Sequence, residues 1–190
     1  MSELFKSFHA SFDVKHFHII FYMEYTSPVK LPDGRYYVKV ANDTGARILE
    51  RNVKLGEIQE DMTLELSDLA QMTAFDEKII NDAVEHSAQW FQREISRDVI
   101  KGYYQSALDD AVLQCIPNVT PKGKIAVAFF SDAKEVLTKV DAGTVCTVLL
   151  QLDGLWFLKK SFGPVWKLVQ VRVKRQAQPV QCLIEDEDSD

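Results

Sequence analysis

Cysteine is scarce in this chain, with three in 190 residues, at positions 115, 146 and 182. The number is odd and no CxxC spacing occurs. This argues against a disulfide framework or a structural zinc site and leaves reduced thiols as the simple reading. No apolar run approaches the roughly 18 residues that cross a bilayer, so no membrane partner is expected. Met1-Ser2-Glu3-Leu4-Phe5-Lys6 lacks the basic region and apolar stretch of a secretory signal. The expectation is an intracellular protein in a reducing compartment, at the replication site of a host cell if the source is viral. Catalytic signatures are missing too. There is no GxxxxGK[ST] loop, no GxGxxG, no HExxH and no GxSxG elbow, so neither an enzyme nor a cofactor is expected. His16 and His18 have the spacing of a metal pair but read as polar residues on the wet face of a strand.

Acids are absent from one long stretch. From Lys159 to Cys182 there are six bases, Lys159, Lys160, Lys167, Arg172, Lys174 and Arg175, and no Asp or Glu. The last six residues then carry Glu185, Asp186, Glu187, Asp188 and Asp190, which account for most of the formal net charge of −6. A basic stretch followed by an acidic tip is a polarised arrangement that the mean charge hides.

Hydrophobic residues make up 46% of the chain and charged residues 26%, an ordinary globular composition. Period-two alternation predicts strands over His16–Thr26 and Arg35–Ala41, then over Ile48–Leu55 and a short segment at Met62, Leu64 and Leu66. Steps of three and four through Phe75, Ile79, Ile80, Ala83, Ser87, Trp90 and Phe91 predict an amphipathic helix, its Trp90-Phe91 pair in the core. Ser96 is placed to cap a second helix. Pro117 and Pro121 mark a loop, and strands resume at Ile125, Val127 and Phe129. Thr144–Leu158 is a long strand bent at Asp153-Gly154, Ser161-Phe162-Gly163-Pro164 reads as a hairpin connection, and Val165–Lys174 is the last strand. This order predicts a mainly β (α+β) fold with a helical insertion at about 69–108, an OB-fold-like barrel of five to seven strands. Residues 1–182 would form one domain and 183–190 an acidic flexible tail.

Aromatic residues alternate with cations on these strands. Val165, Val169, Val171 and Val173 define one face of the last strand. The other face carries Trp166, Leu168, Gln170, Arg172 and Lys174. Arg35, Tyr37 and Lys39 repeat the pattern on an early strand. Trp156 has the parity of Cys146, Val148, Leu150 and Leu152 and reads as core. Phe157 and Lys159 have the opposite parity, unless the bend at Gly154 resets it. Cations neutralise phosphates and release counterions, while rings stack on unpaired bases. The residues selected for a nucleic-acid surface are Arg35, Tyr37, Lys39, Phe157, Lys159, Lys160, Trp166, Lys167, Arg172 and Lys174. A tethered polyanion would compete with nucleic acid for such a surface. The rival expectation is a viral structural or assembly protein whose exposed aromatics make protein–protein contacts.

The segment Gly154-Leu155-Trp156-Phe157 … Lys160-Ser161-Phe162-Gly163 … Trp166-Lys167-Leu168-Val169-Gln170-Val171 resembles the closing strands of the single-stranded-DNA-binding proteins of short-tailed coliphages. It is closer still to their relatives in nucleocytoplasmic large DNA viruses. Ser96-Arg97-Asp98-Val99-Ile100 resembles the large-virus branch, and Glu185-Asp186-Glu187-Asp188 resembles the family's acidic tail. The resemblance covers about a third of the chain. It implies an OB-fold with a helical insertion and a role in DNA replication, recombination and repair. It also implies tail contacts with replication proteins (polymerase, helicase or primase) and a homodimer formed by exchanging tails. The phage tails end in an aromatic residue whereas this chain ends Ser189-Asp190, so a role for a terminal ring does not carry over.

Overall fold

A computed structural model describes residues 23–41 and 46–174. The predicted strand at His16–Thr26 lies mostly outside these residues. Of its described part, only Tyr25 pairs, in a single bridge to Val40.

Five strands close a ring. These are β3 (Arg47–Leu55), β4 (Met62–Glu65), β6 (Val112–Pro117), β9 (Val145–Leu158) and β10 (Ser161–Val173). β3 pairs β4, β4 pairs β6, β10 pairs β9 and β9 pairs β3, all antiparallel, and β6 joins β10 in parallel. Taking the five in chain order as first to fifth, the ring runs 1-2-3-5-4. That is a closed five-stranded Greek-key barrel of the OB type, within a mixed sheet of ten strands. Pro117, expected to mark a loop, is the last residue of strand β6, a strand not predicted from the sequence. Its alternation, with Leu113, Cys115 and Pro117 buried, is half hidden by that terminal proline.

The longest two strands overrun the barrel, and short strands cover the overhang. β1 (Val29–Lys30) and β2 (Tyr36–Lys39) extend the sheet beside the last part of β9. β7 (Ala128–Phe130) and β8 (Val136–Leu137) run along the far end of β10, and β5 (Leu108–Asp109) pairs β6. The turn between β9 and β10 is Lys159-Lys160. Ser161 to Pro164 are therefore strand residues, which corrects the expected hairpin position.

The insertion lies between β4 and β6 and comprises α1 (Ala70–Glu85), α2 (Ser87–Trp90) and α3 (Arg97–Tyr103). Helix α1 turns Met72, Phe75, Ile79 and Ala83 into the core at its predicted spacing. Ser96 is the N-cap residue of α3 with extended backbone, though its side chain makes no capping bond. No described helix is long and apolar enough to cross a membrane. Cys115 and Cys146 are buried and free. Burial pushes their thiols up to about 12 and about 11.

Candidate nucleic-acid interface

Two bulges decide which side chains reach the surface. On β9 the buried apolar side chains are Cys146, Val148, Leu150 and Leu152, then Leu155 and Phe157. Asp153 is the extra residue, skipped in the pairing with β10, so the faces exchange beyond it. On β10 Trp166 and Leu168 are buried, Val169 is skipped, and Val171 is buried. Parity counted from the valines therefore fails on both strands.

This corrects two predicted stacking residues. Trp166 is 1% exposed and meets Phe75 of α1 edge-on, with ring centroids 5.1 Å apart. Phe157 is 5% exposed and is the hub of an aromatic cluster. It stacks on Phe162 at 5.4 Å and meets Trp90 and Phe91 edge-on. Neither ring lies on the face of the sheet that carries Tyr37 and Lys39. Trp156, read as core, takes the surface position instead and is half-buried.

Trp156 pairs across the sheet with Tyr37 on one side and Gly163 on the other. One step away, Gly154 pairs with Lys39 and Val165. Each ring lies over a glycine. A methyl built on Gly154 would sit 2.6 Å from the Tyr37 ring, and one on Gly163 would sit 3.1 Å from the Trp156 ring. Two aromatic side chains thus lie against the sheet from directly paired positions on neighbouring strands, whose backbones run about 5 Å apart.

A polar chain fixes them. The Tyr37 hydroxyl donates to Asp153 Oδ2 at 2.5 Å, and Lys167 Nζ donates to Asp153 Oδ1 at 2.7 Å. Burial and the Asp153 charge hold the Tyr37 hydroxyl well above its ordinary pKa, so it stays a donor. In the next row Arg47, Gln151 and Lys167 lie side by side, with Arg47 Nε donating to Gln151 Oε1 at 3.1 Å. Lys167, predicted as a phosphate contact, spends its charge on Asp153 and serves as a positioning group. Lys39, Arg47, Lys159 and Lys160 form no ion pair among the described residues.

The sheet therefore brings together Tyr37, Lys39 and Lys167, with Lys159 and Lys160 at the hairpin tip. Arg35 sits at the β1–β2 turn, paired to Asp33 at 2.6 Å. Arg172 and Lys174 are not part of this group. Lys174 lies seven strand residues from Lys167, about 23 Å, and its Nζ bonds Asn52. Trp156 and Arg47 were missed by sequence reasoning. The bulge at Asp153 moved Trp156, whereas Arg47 carried a legible signal as a cation at the head of a strand. Glu185, Asp186, Glu187, Asp188 and Asp190 lie outside the described residues.

The loop between the first two barrel strands is acidic. OB-folds often take nucleic acid over the second and third strands and the first loop. Here the loop between β3 and β4 exposes Glu57, Glu60 and Asp61 and contains no Lys or Arg.

A family of unknown function (DUF5871) matches residues 51–186. None of the curated proteins matches the chain by sequence. Among solved structures the chain is similar to a single-stranded DNA-binding protein from bacteriophage Enc34, at 11% identity and a TM-score of 0.46, covering 87% of this chain and 98% of that one. The same phage protein in complex with ssDNA gives 12% and 0.43, over 81% and 97%. The gp2.5 single-stranded DNA-binding protein of bacteriophage T7 gives 15% and 0.37, over 86% and 93%.

Proposed function

The chain belongs to a family of unknown function (DUF5871), and we propose, from its own surface, that it is a non-enzymatic protein that binds single-stranded DNA with little sequence preference. The observation that carries this reading is the pair of rings, Tyr37 and Trp156, spread over sheet glycines among cations. Such rings accept any base, because every base has a flat face. Lys39, Arg47, Lys159 and Lys160 neutralise phosphates along the track, with Lys167 and Asp153 holding the platform. The proposed setting is DNA replication, recombination and repair. The acidic tail would occupy the cationic face without DNA and, once displaced, recruit replication proteins such as a polymerase, helicase or primase. Arg35, Arg172 and Lys174 would contact DNA only on a longer path.

The test is a titration with oligo-dT. Trp90 and Trp166 are buried, so fluorescence quenching on binding reports mainly on Trp156. Trp156→Ala is expected to weaken binding roughly tenfold, the worth of about one base stack. The salt dependence, about −0.7 in log–log slope per phosphate contacted, should stay unchanged. Wild-type protein that ignores oligo-dT but self-associates in a salt-resistant way would instead favour the assembly reading. In a separate titration, deleting residues 183–190 should tighten oligo-dT binding, most at low salt. Unchanged affinity in the deletion would remove the tail from the mechanism.

A further inference from the structure

On the other side of the same overhanging sheet lies a cleft of about 730 Å³. Its walls come from three distant stretches. They include Tyr36 of β2, which is 45% exposed, the partly buried Tyr103 of α3, and Lys159 of the hairpin tip. Arg93, from the loop after α2, adds a second cation, and neither Arg93 nor Lys159 has an ion pair among the described residues. Gln89 and Gln92 line the cleft with amides, each both donor and acceptor. Gln92 is held at φ 60°, a left-handed conformation that costs a non-glycine residue about 1 kcal/mol or more. Phe91 and Phe157 of the aromatic cluster line it as well.

We propose that this cleft is a second nucleotide subsite, filled by the same DNA strand after it rounds the Lys159-Lys160 turn. The inference rests on the DNA-binding reading above. Continuity argues for it: Phe157 and Trp156 are sequential residues on opposite faces, so the turn is the shortest route between them. Charge and shape agree, since the exposed Tyr36 ring and the partly buried Tyr103 ring, in a cleft that also holds two cations, suit a flat base with its phosphate. The amides would read base edges weakly, so this end of the strand would carry what sequence preference exists.

The test compares oligo-dT of about five and about twenty nucleotides, one near the lower end of single OB-fold site sizes and one above their range. Tyr36→Ala and Arg93→Glu, both at exposed positions, should weaken the long oligonucleotide roughly tenfold and leave the short one unchanged. Arg93→Glu should also lower the salt slope by about 0.7. With 5-iodo-deoxyuridine in the long strand, photocrosslinks should reach Tyr36 or Tyr103 as well as Trp156. Long-strand affinity unchanged in both variants, with crosslinks confined to Tyr37 and Trp156, overturns the subsite and leaves the platform standing. Equal weakening of short and long strands overturns it as a second site. A wild-type protein that binds neither length removes the DNA-binding reading itself, and the subsite with it.

Discussion

Gly154→Ala is expected to destabilise the protein by about 1–3 kcal/mol, the usual cost of overpacking against backbone that cannot shift. The added methyl would stand 2.3 Å from the carbonyl oxygen of Val38, which belongs to the backbone of β2 and cannot rotate away. It would also stand 2.6 Å from the Tyr37 ring, lifting it off the sheet and breaking its bond to Asp153. Stability and DNA affinity should therefore fall together. Gly163→Ala makes a similar collision, with its methyl 2.4 Å from the carbonyl oxygen of Gln105, where the chain leaving α3 crosses β10. Gly102 in α3 is the control. An added methyl there meets nothing within 4 Å, so Gly102→Ala should stabilise by about 0.5–1 kcal/mol through helix propensity. Urea unfolding of the three variants checks this. A Gly154→Ala midpoint equal to wild type would mean that β2 is not clamped to β9 as described.

The same two glycines show how far the sequence could be read. Gly154 and Gly163 stood out in the amino-acid string as part of a motif, but nothing in their spacing revealed that Gly163 lies beneath its own cross-strand partner Trp156 and Gly154 beneath Tyr37 of the neighbouring pair. Alternation alone was enough to orient β2, with Val38 inward and Tyr37 and Lys39 outward. Steps of three and four were likewise enough to find α1, whose apolar residues keep one face over four turns. Alternation failed where a strand gains a residue. The bulges at Asp153 and Val169 each reverse the inside and outside of everything beyond them. Trp156 and Phe157 exchanged roles for that reason, and Trp166 went to the core because its face was judged from valines on both sides of the second bulge. Which cations share a surface depends on closing the barrel. Lys167 and Arg47 are far apart in sequence and become neighbours only because β9 pairs with both β3 and β10.

Glu50→Gln is expected to stabilise the protein at alkaline pH by up to about 3 kcal/mol and to flatten its stability profile. Glu50 is 3% exposed on β3 between the buried Ile48 and Val53, and its Oε1 has no partner among the described residues. Burial, with the Asp68 charge adding to it, pushes its carboxyl up to about 7. In the folded protein this acid therefore keeps its proton to a higher pH than in the unfolded chain, where it ionises near 4.5. Between those values the native state holds the extra proton, so stability falls as pH rises, by at most about 1.4 kcal/mol per unit. Below about pH 4.5 both states are protonated at this site and the penalty vanishes. Glutamine keeps the shape and has no charge to desolvate, so the variant should match wild type near pH 4.5 and exceed it above about pH 7. Urea midpoints across that window decide the matter. If Glu50→Gln leaves the slope of stability against pH unaltered, the buried carboxylate is not the group that responds. The prediction is independent of DNA, because Glu50 belongs to the barrel interior and touches neither the ring platform nor the cleft.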